Sequence, residues 1–381
     1  MINVLFITHD DNQLGSSRSL LNLLDGLDKN DINPIVITDK DGPLKKELED
    51  RHIISYTLPI SWWVTRKPVT VKRVINLTIG LIRATQPYNE VVIKHLIDVI
   101  YTNTSVYPIG RIIAFLNRIP HIWHIREFGK LDFSLNYIYP ETFHNLIIKS
   151  STAIICNSNA IKNYYFQNSN RRSIHVIYNG IAFDNQFKQF AERRKTTLPN
   201  KTYTFIIIGS IIPPKGQDVA IRALSVLRSR GLDSQLLIVG TGENDYLKYL
   251  KELAADLNVE ESVIFTGYLS DPYEAFYFSD CMLMCSQHEA MGRVTVEAMS
   301  ACLPVIGNDS GGTPELIQHG KSGFLYNTFE ELTNFMCIMV ENPELGSQFG
   351  SHGWQYVREN FTIENYSSSI RSIIQSCVNK I

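Results

Sequence analysis

The chain alternates short apolar runs with segments of helical period, and this alternation occurs twice. In the first half, runs such as INVLFITHD and INPIVITD indicate strands, and SRSLLNLLDGL between them indicates a helix. The apolar face of that helix repeats with a 3.6-residue period and is made by Leu20, Leu21, Leu24 and Leu27. Strands that alternate with helices predict a parallel sheet covered on both faces.

The second half begins again at TYTFIIIGS, after a polar segment from Asn185 to Lys201 that we predict to be a linker. The predicted fold class is therefore α/β, with two Rossmann-like domains. We place them at residues 1–190 and 191–360, followed by a last helix at 361–381 that packs back on the first domain. Ligands of such sheets bind at the carboxyl ends of the strands. If the two edges face each other across a cleft, the ligand lies between the domains.

Composition restricts the class of protein. The 381 residues are 44% hydrophobic and 19% charged, which suits two globular domains. A formal net charge of −2 gives no general attraction for nucleic acid. The six cysteines include no C-x-x-C pair and favour reduced thiols in the cytoplasm. MINVLFITHD lacks a basic segment before its apolar run, so we expect a first strand there and not a signal peptide.

The strongest signal for chemistry lies in the stretch from Cys281 to Tyr326, which predicts strand, loop, helix, strand, glycine loop and helix. Glu289 and Glu297 bracket the first loop with seven residues between them. The backbone N–H groups from Ala290 to Thr295 lie at a helix N-terminus, which favours an anion. Acids that can bind hydroxyls, beside a helix end that can bind phosphate, predict a sugar phosphate or sugar nucleotide. A solvated helix pair is the alternative, and the apolar flanking segments disfavour it.

Three glycine loops are weaker candidates. Gly15-Ser16-Ser17, after the first strand, could let a ligand approach the backbone or could simply cap a helix. In GSIIPPKG, Lys215 could place a charge on a diphosphate or be an ordinary exposed lysine. Gly240-Thr241-Gly242 is a lone G-x-G with Asp245 where a third glycine would stand, so we predict a tight turn and no dinucleotide fingerprint.

His124 is a candidate for chemistry at the end of the apolar run HIWHIRE. A neutral imidazole there could bond a sugar hydroxyl or support a developing charge. From the residue alone, a satisfied core histidine followed by a surface pair of Arg126 and Glu127 is favoured. His121, which we predict to lie on the same face, competes for the role.

A possible membrane contact lies around the predicted helix from Val69 to Ala84. It carries Lys72, Arg73 and Arg83 among aliphatic residues and follows Trp62, Trp63, Arg66 and Lys67. These side chains could rest on an anionic membrane, and an ordinary domain surface is an equal alternative.

Several motifs together resemble the retaining glycosyltransferases of family 4, which have the GT-B fold. EAMGRVTVEAM resembles the E-x7-E signature of that family, and LPVIGNDSGGTPELIQHGKSGFLY resembles its glycine-rich segment. GSIIPPKGQD, LLIVGTGEN and VIFTGYLSD follow in the expected order, and GSSRSLLNLL, WHIREF and IICNSNAI…VIYNGI resemble the first half more loosely. The resemblance implies two domains that face each other across a cleft, the first for the acceptor and the second for a nucleotide-sugar donor.

The resemblance also implies roles for individual residues. Glu289 would bond donor-sugar hydroxyls, Glu297 the ribose hydroxyls and Lys215 the diphosphate, with His124 in the active site. The other implied donor-binding residues are Gly15, Ser16, Gly209, Ser210, Gly240, Tyr268, Leu269, Ala290, Met291, Gly292, Arg293, Val294 and Thr295. Ser210 stands where the family often has an arginine, so Arg293 could take part in neutralising the diphosphate.

The expected activity is transfer of a sugar, with retention, from a UDP-, GDP- or dTDP-sugar to an acceptor hydroxyl. A glycan, glycolipid or protein would be the acceptor, in bacterial polysaccharide or glycoconjugate synthesis, and no cofactor or metal site is predicted. A GT-B sugar-nucleotide epimerase and a non-catalytic sugar-nucleotide-binding subunit stay open as alternatives. A two-carboxylate hydrolase is less favoured because Glu297 is placed for ribose. A dinucleotide oxidoreductase is disfavoured because neither glycine loop completes its fingerprint.

Overall fold

The computed structural model describes residues 1–9, 15–167, 169, 171–196 and 202–379. Contacts divide the chain into two compact units, Met1–Gly180 with Ile363–Ile381 and Ile181–Thr362. We call these the first and the second unit. The divisions fall after Gly180 and after Thr362.

The first unit contains a seven-stranded parallel sheet in the order β3-β2-β1-β5-β6-β8-β9. A short antiparallel pair, β4 with β7, lies outside that sheet. The strands are β1 (Ile2–Ile7), β2 (Ile32–Thr38), β3 (Ile54–Thr57), β4 (Val64–Thr65), β5 (Val99–Thr102), β6 (His121–Ile125), β7 (Asn136–Tyr137), β8 (Ala153–Cys156) and β9 (Ile174–Val176). The helices are α1 (Gly15–Gly26), α2 (Pro43–Asp50), α3 (Val71–Lys94), α4 (Ile109–Asn117), α5 (Lys130–Phe133), α6 (Glu141–Lys149) and α7 (Asn159–Phe166), with α15 (Ile363–Val378) from the end of the chain.

The second unit contains a six-stranded parallel sheet in the order β12-β11-β10-β13-β14-β15. Its strands are β10 (Tyr203–Ile208), β11 (Ser234–Val239), β12 (Val263–Gly267), β13 (Cys281–Met284), β14 (Val305–Asn308) and β15 (Gly323–Tyr326). Its α-helices are α8 (Asp184–Thr196), α9 (Gln217–Ser229), α10 (Asn244–Asp256), α11 (Tyr273–Tyr277), α12 (Arg293–Ser300), α13 (Phe329–Glu341) and α14 (Pro343–Asn360). Short 3-10 turns occupy Pro213–Lys215, Glu260–Ser262 and Thr313–Glu315.

Each sheet has one point at which the strand order reverses direction. In the first unit it lies between β1 and β5, and in the second between β10 and β13. The central strands are largely apolar, as expected where helices cover both faces of a sheet, and β1 is buried from Val4 to Ile7. Crevices at the carboxyl ends of strands beside such a reversal are the usual ligand sites of open α/β sheets.

The prediction of a linker from Asn185 to Lys201 is wrong for its larger part. Helix α8 begins at Asp184 and continues to Thr196, and residues 197–201 lie outside the described part of the chain. The helix has few apolar positions, and hydrogen bonds hold much of it in place. Arg194 donates to the backbone carbonyls of Phe276, Tyr277 and Ser279, while Phe187 supplies a buried anchor.

Helix α15 packs against α1 in the first unit, which confirms the prediction that the last helix returns there. The contact is so close that a Cβ on Gly26 of α1 would come within 2.6 Å of Ile363 and Ser367. Helix α3 is longer than its pattern predicts, because it continues through Pro87 to Lys94. Within the described residues, no helix combines the length and the apolar character that crossing a bilayer requires.

Candidate functional site

An ion pair spans the strand reversal of the second unit. Lys215 lies at the end of the turn that follows β10, and Glu289 lies in the loop that follows β13. Lys215 Nζ is 2.6 Å from Glu289 Oε2, although 74 residues separate them in sequence. Both side chains keep some exposure, 27% for Lys215 and 17% for Glu289. The structure therefore brings together two predicted site residues at the sheet edge where a ligand is expected.

Close backbone contacts fix the loop that carries Glu289. Gly216 has a φ of 71°, and a Cβ there would lie 2.7 Å from the carbonyl oxygen of Cys285. On the other side, the Gly312 N–H donates to the Glu289 carbonyl at 2.7 Å. Gly311, with a φ of 58°, leaves no room for a Cβ against the Glu289 backbone. Glycine is required at these positions because the loops approach more closely than side chains permit.

Helix α12 presents the second acid. Gly292 precedes the helix with a φ of 86°, and the segment Ala290, Met291 and Gly292 is buried. Arg293 and Glu297 lie one turn apart, and the Nε of Arg293 is 2.7 Å from Glu297 Oε1. The exposed fraction of Glu297 is only 3%. Arg293, which we considered for the diphosphate, is thus bound to the neighbouring carboxylate.

Thr295 contributes an unsatisfied hydroxyl in the first turn of α12. Its side chain is fully buried, and its Oγ1 has no hydrogen-bond partner among the described residues. Val294, beside it, is half-buried. Buried polar atoms are nearly always bonded, so an orphan hydroxyl at a helix start is a candidate for a ligand contact.

Three further loops lie together at the ends of β10, β11 and β12. The Gly240 N–H donates to the Gly267 carbonyl at 2.9 Å, and a Cβ on Gly240 would come within 1.9 Å of the Gly209 carbonyl oxygen. Tyr268, next to Gly267, is 55% exposed, and Leu269 is half-buried. Ser210 is exposed, and its backbone carbonyl accepts a hydrogen bond from Gln217 Nε2 at 3.0 Å. The predicted tight turn at Gly240 serves this close approach of two loops.

The two candidate histidines of the first unit have different environments. They are three positions apart in β6 and so point to opposite faces, which makes the prediction of a shared face wrong. His121 is satisfied at both nitrogens, by Thr102 Oγ1 at 2.8 Å and Ser151 Oγ at 2.9 Å. His124 bonds through Nδ1 to the Tyr101 hydroxyl, while its buried Nε2 has no partner among the described residues. The structure favours His124 over His121 as the residue available to a ligand.

Arg126 and Glu127 are not the surface pair that the residues alone favoured, since both are buried. Arg126 donates to Asn103 Oδ1 at 3.0 Å, to the Asn179 side chain and to the Tyr366 hydroxyl at 2.8 Å. The carboxylate of Glu127 accepts from the N–H and the hydroxyl of Ser105 instead.

Asn103 joins the end of β5 to the start of α1. Its Nδ2 donates to the Ser16 carbonyl and to the Thr8 hydroxyl, both at 3.3 Å. Gly15 and Ser16 are the first residues of α1, so the predicted loop is here the beginning of a helix, and residues 10–14 lie outside the described ranges. Sequence reasoning missed Asn103, which follows a buried strand at the strand reversal. That position is the signal that could have found it.

Burial raises the pKa of Glu127 to about 7, although the bonds from Ser105 oppose the rise. Since the folded pKa exceeds the unfolded one, the protonated acid stabilises the fold. This contribution is complete below about pH 4.5 and is lost as the pH rises through 7. We expect Glu127→Gln to remove this fall of the free energy of unfolding with pH. Between pH 5 and pH 8 the variant should therefore gain roughly 3 kcal/mol of stability relative to the parent. Urea unfolding followed by tryptophan emission measures it, because three of the four tryptophans lie in the first unit: Trp62, Trp63 and Trp123.

Glu141→Gln, at an exposed carboxylate of the same unit, is the matched control. It should keep the pH dependence of the parent. An unchanged slope in Glu127→Gln would contradict the assignment.

The prediction that there is no metal site did not consider one Asp-x-Asp triplet, Asp39 to Asp41. Two carboxylates at this spacing could share a metal. Asp41 instead accepts from Lys45 Nζ at 2.6 Å and from the Thr57 hydroxyl. In the described ranges, no group of three or more histidine, cysteine, aspartate or glutamate side chains is placed to hold a metal ion.

The two tryptophans that we considered for membrane contact, Trp62 and Trp63, differ in burial. Trp63 is buried and stacks on Trp123, and its indole N–H donates to the Ser105 carbonyl at 2.7 Å. Trp62 is 38% exposed. The apolar surface nearby is made by α3 instead, through an exposed stripe that we call the α3 stripe: Val71, Ile75, Ile79 and Ile82.

Comparison with known proteins accounts for both halves of the chain. A model described as Glycosyltransferase Family 4 matches residues 15–185, and one described as Glycosyl transferases group 1 matches residues 188–354. The structure also superposes on Anabaena Alr3699/HepE, solved in complex with UDP, with a TM-score of 0.79 and 22% identity. That match covers 98% of this chain and 100% of the other. The two parallel-sheet α/β domains are therefore those of a GT-B glycosyltransferase, as predicted.

Two curated relatives are similar to this chain over about half of their own length. An uncharacterized glycosyltransferase of Haemophilus influenzae is 31% identical over 201 residues, which cover 51% of this chain and 55% of the relative. A GDP-mannose-dependent alpha-(1-6)-phosphatidylinositol monomannoside mannosyltransferase of Mycobacterium tuberculosis is 29% identical over 196 residues, 49% of this chain and 50% of the relative. With both family models matched in order, the chain belongs to the family 4 glycosyltransferases, which confirms the resemblance.

Proposed function

We propose that the protein is a retaining glycosyltransferase that moves a sugar from a nucleotide-sugar donor to an acceptor hydroxyl. The observation that carries the proposal is the pair of acids at one sheet edge, each matched by a cation. Glu289 pairs with Lys215 and Glu297 pairs with Arg293, around the start of α12. A carboxylate can accept from sugar hydroxyls, while a helix start and a lysine can hold phosphate.

The proposed roles follow this geometry. Glu289 bonds hydroxyls of the transferred sugar, and Glu297 bonds those of the ribose. Lys215 exchanges its contact with Glu289 for one with the diphosphate, and the Thr295 hydroxyl with the N–H groups of α12 supports the phosphate oxygens.

In the first unit, His124 donates to the transferred sugar. Gly209, Ser210 and Gly240 leave space for the nucleotide, whose base lies beside Tyr268 and Leu269, and Gly15 and Ser16 lie beside the diphosphate.

In the proposed step the acceptor oxygen forms a bond to the anomeric carbon with retention, the bond from that carbon to the diphosphate breaks, and the hydroxyl proton passes to the departing diphosphate. Negative charge grows on the leaving phosphate as the glycosidic bond breaks. Lys215 and the first turn of α12 stabilise that charge without a metal ion. The acceptor is a glycan, glycolipid or protein, and the setting is bacterial polysaccharide or glycoconjugate synthesis on the cytoplasmic side of the membrane.

A screen of purified protein against UDP-, GDP- and dTDP-sugars tests the proposal. Both UDP and GDP are included because the Anabaena structure was solved with UDP and the Mycobacterium tuberculosis relative is GDP-mannose-dependent. We expect one nucleotide series to raise the melting temperature and its sugar form to be consumed slowly without acceptor. Epimerised donor as the product would favour an epimerase, and stabilisation without any turnover would favour a binding subunit. No response to any donor would refute all three.

We also propose that the α3 stripe contacts an anionic membrane at the periphery. Val71 and Ile82 are 77% and 66% exposed, and Ile75 and Ile79 lie between them on the same face. From residue 51 to residue 89 the chain contains six lysines and arginines and no aspartate or glutamate. An apolar stripe beside cations, with no acid near it in sequence, is complementary to anionic lipid.

Replacing Ile75 and Ile79 by serine should lower binding to vesicles that contain phosphatidylglycerol by about fivefold or more, since each loses apolar area to bury. Co-sedimentation measures the change. The control is Phe115→Ser, which removes an apolar side chain that is 70% exposed from α4 of the same unit. Equal binding by the parent and the double variant would contradict the contact. Deleting Trp63 would not test it, because that side chain is part of the core.

A further inference from the structure

A buried glutamine closes the loop that carries Lys215. That loop, residues 209–216, joins β10 to α9, and Gln217 is the first residue of the helix. Gln217 is only 1% exposed, and its Nε2 donates to the Ser210 carbonyl at 3.0 Å. Because a carbonyl oxygen only accepts, the side-chain amide must present its nitrogen to Ser210. The contact therefore joins the two ends of loop 209–216.

Loop 209–216 has two other anchors, one near each end. Near its start, the Ile211 N–H donates to the Thr241 carbonyl at 2.8 Å, which ties the loop to the end of β11. Near its end, Lys215 Nζ lies 2.6 Å from Glu289 Oε2. The amide of Gln217 connects the anchored start of the loop to the backbone two residues from the lysine. The position of Lys215 is therefore linked to this side chain.

Stability of the fold does not explain an amide at this position. Oε1 of Gln217 is buried and has no hydrogen-bond partner among the described residues. A buried acceptor without a donor lowers the free energy of unfolding. Ser210 is exposed, so water can solvate its carbonyl in place of the glutamine. An apolar side chain of the same length would serve the core at least as well, which indicates that the amide serves the placement of the loop.

We propose that Gln217 is a positioning residue, which holds loop 209–216 closed and so keeps Lys215 Nζ in place for the diphosphate. The inference rests on the proposed function, in which Lys215 stabilises the charge of the leaving group. It adds a residue that contacts neither donor nor acceptor and acts on the reaction through Lys215.

Gln217→Met tests the inference, because methionine keeps the length of the side chain and removes the hydrogen bond to Ser210. With the donor found in the screen, kcat should fall about tenfold at a KM changed less than about twofold, since one hydrogen bond is lost and the charge that Lys215 stabilises grows in the transition state. The melting temperature should stay equal or rise. In a Lys215→Met background, the same substitution should lower kcat by less than about twofold, because a residue that acts through Lys215 has no effect without it.

Acetylation of Lys215 by acetic anhydride, followed by mass spectrometry, tests the placement without any turnover. We expect Gln217→Met to raise the rate of acetylation by about threefold or more, since the ion pair with Glu289 opens more often when one hydrogen bond of the loop is lost. The exposed Lys321 in the same sample is the reference. Gln217→Glu should act in the same way, because an ionised carboxylate of the same shape has no proton to donate to Ser210.

Gln235→Met is the matched control. Gln235 is a partly buried glutamine of the second unit, and its Nε2 donates to the Thr204 hydroxyl at 2.8 Å, near the amino ends of β10 and β11. This variant should keep the kcat and the Lys215 acetylation of the parent. An equal loss of kcat from Gln217→Met with and without Lys215, or unchanged acetylation in both Gln217 variants, would overturn the inference. Absence of donor turnover in the parent would instead refute the proposed function, and acetylation would still decide whether Gln217 places Lys215.

Discussion

Replacing Lys215 by methionine is expected to lower kcat by about two to three orders of magnitude, the usual cost of removing one group that stabilises charge in a transition state. Methionine keeps the length and the apolar stem of the side chain and removes only the charge. Glu289 then loses its partner at 2.6 Å, but its remaining exposure lets water solvate the carboxylate. The melting temperature should therefore change little while turnover falls. Steady-state consumption of the donor found in the screen, with and without acceptor, measures the effect.

Lys321→Met is the control for this prediction, at an exposed lysine of the same unit. Its turnover should equal that of the parent. Glu289→Gln separates the two partners, because it also removes the ion pair but keeps Lys215 for the diphosphate. We expect it to lose turnover through weaker contact with the sugar, with nucleotide affinity unchanged. Equal kcat in Lys215→Met and the parent would leave the charge-stabilising role without support.

The spacing of Glu289 and Glu297 could be predicted from the sequence because both lie in one short strand-loop-helix segment. The pairing of Arg293 with Glu297 could also be predicted from the sequence, since residues four apart on a helix are neighbours. We assigned Arg293 to the diphosphate only because Ser210 lacks a charge.

Contacts between distant segments could not be predicted in this way. Lys215 meets Glu289 because β10 and β13 are neighbours in the sheet, and strand order is set by the whole fold. Tyr366 reaches Arg126 across 240 positions of sequence. The sequence pattern did not predict α8 because the helix is held by hydrogen bonds of Arg194 and by burial of Phe187, and its hydrophobic period is weak.

Replacing Glu297 by alanine is expected to weaken the binding of the cognate nucleotide by about a hundredfold, through loss of two hydrogen bonds from ribose hydroxyls to a charged acceptor. It should also destabilise the second unit by roughly 3 kcal/mol, because Arg293, whose side chain is only 14% exposed, loses its carboxylate partner. Isothermal titration with UDP and with GDP measures the first effect, and thermal unfolding measures the second.

The double variant Glu297→Ala with Arg293→Met distinguishes a ligand contact from a purely structural one. It removes both members of the pair, whose side chains are 14% exposed for Arg293 and 5% exposed for Glu297. Neither charge is then left without the other. Stability should return toward that of the parent, as it often does when apolar side chains replace a buried pair. Nucleotide affinity should stay low, because the ribose hydroxyls still lack their acceptor. Recovery of affinity together with stability would show that Glu297 acts only by holding Arg293, and the assignment of the ribose to Glu297 would then be wrong.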